Sequence, residues 1–190
     1  MDSGAPVMPR RRSSAGSTSL PKLSRRRRAR LGRRPLVRVI SGGQTGVDRA
    51  ALDAALEAGL PVGGWCPRGR KAEDGAVPDR YPMHETPSSA YAERTRWNVR
   101  DSDATLILSA GPLTGGTALT LTAVRSTKQP HCVVDSRTHS PQAAAALVDE
   151  WLESTGAEVL NIAGPRESSA PGIYTWALAT LQLVLAGRQC

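Results

Sequence analysis

Two segments of this chain combine glycines with hydroxyls at the end of an apolar run. They are Ser41-Gly42-Gly43-Gln44-Thr45-Gly46 after LVRVI and Ser109-Ala110-Gly111-Pro112-Leu113-Thr114-Gly115-Gly116-Thr117 after ATLIL. Each runs directly into a helical pattern. Glycines let backbone N–H groups approach a ligand, and the N-terminus of a helix adds partial positive charge, so the chemistry suggested is anion binding. The first segment lacks the GK[ST] of a phosphate-binding P-loop and is not GxGxxG. A tight turn without a ligand is the alternative for either loop. Polar Ser41, Gln44, Thr45 and Asp48 beside the glycines favour binding, and two such loops after different strands would make a two-sided cradle.

Cations stand ready to complete it. GWCPRGRKAEDG (64–75) holds Arg68, Arg70 and Lys71 within four residues. It reads either as a self-compensated solvated loop or as a mobile lid that brings guanidinium groups onto an oxyanion. Tyr91, Arg94, Thr95, Asn98 and Ser102 share one face of a predicted helix, and Arg166 sits in AGPRES. Asp48 and Asp103 are candidate acids or bases. Cys66 reads as a small buried filler, and His84, His131 and His139 have no metal-ligand spacing.

These loops need elements to hold them. LVRVIS (36–41) predicts a buried strand and Gly46–Ala58 a helix. Its Val47, Ala50, Ala51, Ala54, Ala55 and Ala58 form one small-residue stripe, and Gly59 stops it. LPVGGW gives a short second strand, and residues 66–86 a long polar loop. Thr86-Pro87 predicts an N-cap and first-turn proline for a helix over 88–101. Then follow a strand (104–109), a helix (117–127), a strand (131–135), a helix (141–154), a strand (158–164) and a last helix (171–186). Alternation of this kind predicts an α/β, Rossmann-like, doubly wound parallel sheet of about five strands with helices on both faces. The loops after Ile40, Leu108 and Ile162 should then meet on one rim, where ligands bind such sheets.

Taken together, SGGQTGVDRAALDAA, GGWCPRGRKAEDG, Tyr81, the Y..RT..NV..SDATLI pattern over 91–107, GGT at 115–117 and AGPRES..PGIY over 164–174 resemble the molybdenum carrier (molybdenum cofactor carrier protein) family. That family is a Rossmann-like branch related to the lonely-guy/SLOG superfamily. The resemblance runs from about residue 37 to the C-terminus. It implies a cytoplasmic homo-oligomer that binds molybdenum cofactor, a phosphate-bearing molybdopterin anion, and protects it before delivery to molybdoenzyme clients. It implies a non-catalytic carrier with no protein ligand to the metal. Alternatives are a nucleotide-binding sensor or a lonely-guy-like nucleoside monophosphate phosphoribohydrolase. The latter needs an acid in GGxGTxxE, where this chain has Thr120. The cofactor-binding residues implied by loops and resemblance are Ser41, Gly42, Gly43, Gln44, Thr45, Gly46, Asp48, Arg68, Arg70, Lys71, Arg94, Asn98, Ser109, Gly111, Thr114, Gly115, Gly116, Thr117 and Arg166.

The charge is unevenly spread. Of the 190 residues, 1–34 carry 11 of the 25 Lys and Arg with one acid, while the rest carry 14 basic and 16 acidic groups. The net +8 therefore belongs to a basic tail over 1–34, and residues 35–190 form a near-neutral ligand-binding domain. A nucleic-acid role is confined to weak contacts by the tail, and no apolar run predicts a membrane span. The tail has no core-forming pattern. Deleting residues 1–34 is expected to shift the melting temperature by no more than roughly 2–4 °C, the size of a surface change. Loss of folded protein on deletion would contradict this.

Overall fold

The computed structural model describes Met1, residues 35–186 and Arg188; the basic tail lies outside the described residues. The elements are β1 (Arg38–Ile40), α1 (Val47–Glu57), β2 (Val62–Gly63), β3 (Trp65–Cys66), β4 (Lys71–Ala72), β5 (Gly75–Ala76), β6 (His84–Glu85), α2 (Tyr91–Arg100), β7 (Ala104–Ser109), α3 (Gly115–Ser126), β8 (His131–Asp135), α4 (Pro141–Thr155), β9 (Val159–Ala163) and α5 (Ile173–Ala186). Five strands form one parallel sheet in the order β2-β1-β9-β7-β8. The fold is the α/β Rossmann-like one that the alternation predicts.

The winding places the rim. From β1 the chain moves outward to β2, crosses to β7 and moves outward the other way to β8. The last strand, β9, then enters between β1 and β7, pairing Ile40 with Asn161 and Ile107 with Ala163. The loops after β1, β7 and β9 therefore share one edge of the sheet.

Burial explains the elements. All six residues of β7 are buried, as a central strand covered on both faces requires. The stripe on α1 is buried from Val47 to Ala55, and its small side chains let the helix lie close against α5, which also packs on α4. α2 packs on α3. Ser140 caps α4 by accepting from Ala143 N (3.3 Å), Pro141 occupies its first turn, and Gly156 ends it at φ 62°. Polar groups inside the sheet find one another. Asn161 Nδ2 donates to Thr105 Oγ1 (3.2 Å), which donates to Gln129 Oε1 (2.9 Å).

Two expectations are corrected. Residues 66–86 are not a structureless loop. They contain a parallel β3–β6 pair, an antiparallel β4–β5 hairpin and a 3-10 turn at Arg68–Arg70. Ladders of two residues have no periodicity to read. Thr86 is not a helix cap either. Its hydroxyl donates to Cys66 O (3.3 Å) and Ser88 O (2.8 Å), closing the β3–β6 corner, and α2 begins only at Tyr91. Ser88 and Glu93 serve the turn instead, accepting from Ala90 N and Ser88 N.

Candidate functional site

A cavity of about 340 Å³ opens on the shared rim. Its walls come from the β1 loop and the start of α1 (Gln44, Asp48), from α2 (Tyr91, Arg94, Thr95), from Thr114–Thr117 with Thr120, and from the β9 loop (Ala163–Arg166, Ser168, Ser169). The three loops expected to meet do meet here.

At its base lies a buried ion pair. Arg94 Nη1 donates to Asp48 Oδ2 at 3.1 Å, with the two side chains 13% and 3% exposed. Gln44 N donates to the same oxygen at 3.3 Å. Burial pushes the Asp48 carboxyl above the ordinary range, while Arg94 and the Gln44 N–H pull it back. Arg94 lies directly over Gly42, where a Cβ would land on its guanidinium. The Arg94 Nε and Gln44 Nε2 atoms are buried without hydrogen-bond partners.

Above the pair, three cations surround one ring. Lys71 Nζ, Arg94 Cζ and Arg166 Cζ lie 5.6, 6.0 and 5.8 Å from the centroid of Tyr91. The face of an aromatic ring attracts cations, which offsets part of their mutual repulsion.

The N-terminus of α3 forms another wall. Its cap, Thr114, makes no side-chain capping bond. Gly115 and Gly116 have nothing within 4 Å of where a Cβ would stand. Bare N–H groups beside open space, at the positive end of a helix, suit an anion.

Comparisons with known proteins give the family. The model of the circularly permutated YpsA SLOG family matches residues 39–185. The chain belongs to that family. A crystal structure at 1.45 Å resolution, described as "Putative molybdenum carrier protein" from Syntrophus aciditrophicus SB, is 46% identical. The match covers 82% of this chain and 98% of that one, with a TM-score of 0.79. A search of curated proteins finds no match.

In this SLOG chain the glycines of the β1 loop approach protein. A Cβ on Gly43 (φ 74°) would meet Val77 Cγ1 at 2.9 Å, and one on Gly46 (φ 75°) would meet Pro165 O at 2.5 Å and Glu167 N at 2.8 Å. They let three loops close on one another. The hydroxyls of Ser41 and Ser109 donate to Ile162 O (2.6 Å) and Val134 O (3.4 Å), within the sheet. Asn98 clamps the Trp65 backbone, accepting from its N–H at 2.8 Å and donating to its carbonyl at 3.0 Å. Gly111 belongs to the β8 side of the rim.

The 64–75 segment is tied down. Arg70 donates to the carbonyls of Val77, Pro78 and Tyr81 at 2.8 to 3.0 Å. Arg68 is exposed and does not line the cavity. Asp74 forms a two-bond pair with Arg49 (2.5 and 2.7 Å). Glu73 accepts from Thr45 and Ser168 and pairs with Arg166 at 3.5 Å. Glu73 N donates to Gln44 Oε1 at 2.9 Å. Of the three cations in this segment, only Lys71 reaches Tyr91.

Asp103 stands at the other end of the sheet, accepting from Glu158 N and Val159 N. Cys66 is fully buried, and burial raises its thiol pKa. Among the described residues no group of three or more His, Cys, Asp or Glu is placed to hold a metal ion. Tyr81, from the segment before β6, and Tyr174, from α5, both donate to Asp53 on α1 (2.8 and 2.9 Å), and none of the three lines the cavity. Ser168, Ser169 and Thr120 were not among the expected site residues. Nothing in a lone Ser or Thr of the sequence marks it, and only the return of β9 brings the two serines in.

Two predictions follow from the glycines and from Glu73. Gly42→Ala forces Arg94 off Asp48 and is expected to destabilise the fold by about 3 kcal/mol, the scale for uncoupling a buried pair. Gly116→Ala should stay within about 1 kcal/mol of wild type. Urea unfolding of both variants checks this. For Glu73, burial raises the carboxyl pKa, but bonds from Ser168 and Thr45 and the charge of Arg166 outweigh it and leave the group below the ordinary glutamate range. A lowered acid pKa stabilises the fold above the unfolded value and is lost as pH falls through the folded one. The melting-temperature gap between wild type and Glu73→Gln should therefore be full near neutral pH and close as the pH falls through and below the ordinary glutamate range. A gap constant with pH would contradict this.

Proposed function

We propose that this rim cavity binds molybdenum cofactor and that the protein carries it without chemical change. The observation that carries the reading is the open N-terminus of α3, with bare Gly115 and Gly116, lining one cavity with Tyr91, Arg94 and Arg166. The cofactor is an anion with a phosphate monoester at one end and an oxo-metal dithiolene at the other. The phosphate suits the helix N-terminus, and the cations suit the oxo end. Thr114 and Thr117 add hydroxyls beside the phosphate. Gln44 Nε2 and Arg94 Nε, buried without partners, are donors for acceptor atoms of the pterin. The 46%-identical crystal structure described as a molybdenum carrier supports this cargo.

A carrier also needs shelter and delivery. The β4–β5 hairpin is latched beside the rim through Glu73, which accepts from Thr45 and Ser168, and Asp74, which pairs with Arg49. A homo-oligomeric, cytoplasmic protein handing cargo to molybdoenzymes fits this reading. No helix among the described residues is long and apolar enough to cross a membrane.

Anaerobic titration with molybdenum cofactor tests the proposal. Gly116→Val, which fills the space beside the α3 N–H groups, and Arg94→Ala are each expected to weaken binding by about 10- to 100-fold, the worth of one charge-assisted hydrogen bond. Arg68→Ala should bind as wild type. Equal affinity of all four proteins would remove the cavity from the account. A second expectation concerns turnover. Where a phosphoribohydrolase needs an acid, Thr120 donates its hydroxyl back to Gly116 O at 3.0 Å, and Asp48 is held by Arg94. Purine nucleoside monophosphates should yield no free base, as judged by chromatography. Turnover lost in Asp48→Asn would make the protein an enzyme.

A further inference from the structure

Four donors converge on the carboxylate of Glu73. Thr45 Oγ1 donates to Oε1 and Ser168 Oγ to Oε2. Ser168 N donates to Oε1 at 3.3 Å, and Arg166 Nη1 lies 3.5 Å from Oε2. The direction of the first bond is fixed, because Thr45 Oγ1 itself accepts from Glu167 N at 3.2 Å. All four donors belong to the loops after β1 and β9. Only the acceptor comes from elsewhere, the tip of the β4–β5 hairpin. Two hydroxyls, a backbone N–H and a guanidinium around one anionic group make the donor set of an oxyanion site. Arg166 and Ser168 also line the cavity described above, so this set stands in its wall.

The occupant is lightly held. The hairpin pairs only Lys71 with Ala76 and Ala72 with Gly75, which makes Glu73 and Asp74 its two tip residues. Of residues 71–76, Ala72 alone is buried. A ladder of that size has no independent stability. The tip therefore stays in place through its polar contacts: Glu73 with the four donors, Asp74 with Arg49, and Glu73 N with Gln44 Oε1. A phosphate-like group offers the same donors more oxygens and more charge than a carboxylate does.

We propose that Thr45, Arg166 and Ser168 form an oxyanion subsite, that the Glu73 carboxylate is its resident occupant, and that an oxyanion group of a ligand in the cavity competes with Glu73 for it. A tethered carboxylate acts at an effective concentration on the order of millimolar. It excludes a small free anion on that account. A ligand already anchored elsewhere in the cavity competes on the same intramolecular terms. Glu73 thus selects for cargo with two anchoring ends. The subsite needs an oxyanion but not molybdenum cofactor, so it goes beyond the cargo proposed above.

Titration calorimetry of the full chain with inorganic phosphate at neutral pH tests this without any cofactor. Glu73→Ala is expected to bind phosphate about 10- to 100-fold more tightly than wild type, the worth of the charge-assisted bonds it releases. Glu73→Gln, which keeps an acceptor at the site but not the charge, should show a smaller gain. Adding Arg166→Ala or Ser168→Ala to Glu73→Ala should abolish the gain. Adding Gly116→Val should leave it, because the N-terminus of α3 is a separate anion site. Asp79→Ala removes an equal charge from a fully exposed side chain of the same segment and should show no gain. The subsite is overturned if Glu73→Ala binds phosphate no better than wild type, or if the gain survives without Arg166 and Ser168. It is equally overturned if the gain vanishes with Gly116→Val or is matched by Asp79→Ala. Should Glu73→Ala fail to fold, Glu73→Gln decides in its place, a gain supporting the subsite and none overturning it. Failure of molybdenum cofactor to bind would leave this result untouched, and the reverse also holds.

Discussion

A carboxylate taken out of water costs several kcal/mol unless a partner compensates it, and Asp48 sits almost entirely out of water at the start of α1. Arg94 compensates it from another helix, reaching over Gly42 because that residue has no side chain. The pair ties the first strand–helix unit to α2. It brings a cation to the cavity base and leaves Arg94 Nε buried without a partner. One interaction thus joins two elements of the fold and sets a cation in the cavity wall. Its balance of burial against charge explains why the Asp48 carboxyl is raised even beside an arginine.

Topology multiplies the effect. Because β9 enters the middle of the sheet last, the loop after it passes between the loops after β1 and β7. Gly46 and Gly164 make that passage close, with Pro165 O beside one and Val47 and the Leu108 carbonyl beside the other. Glu73 then latches the hairpin to the loops after β1 and β9 through Thr45 and Ser168. The rim is built by loops closing on one another, and the open space that remains lies at α3.

The sheet, the helices and the convergence of three loops were legible in the sequence, because buried strands and a small-residue helix stripe leave strong periodic signals. The roles of individual residues were less so. Gly42 and Gly116 look alike in sequence, yet one makes room for Arg94 and the other faces open space. Arg70 looks like a free cation, but three backbone carbonyls around it are not visible in a string of letters. Asp48 and Arg94 are 46 positions apart, so no local spacing announces their pairing.

The central claim is that the cargo's phosphate rests on the N-terminus of α3 and not on the glycine loop after β1. A crystal structure of the protein loaded anaerobically with molybdenum cofactor tests this most directly. The account predicts phosphate oxygens within hydrogen-bond distance of the Gly115 and Gly116 N–H groups, with Asp48 still paired to Arg94. A phosphate seated on residues 42–46, with Arg94 displaced to admit it, would contradict it.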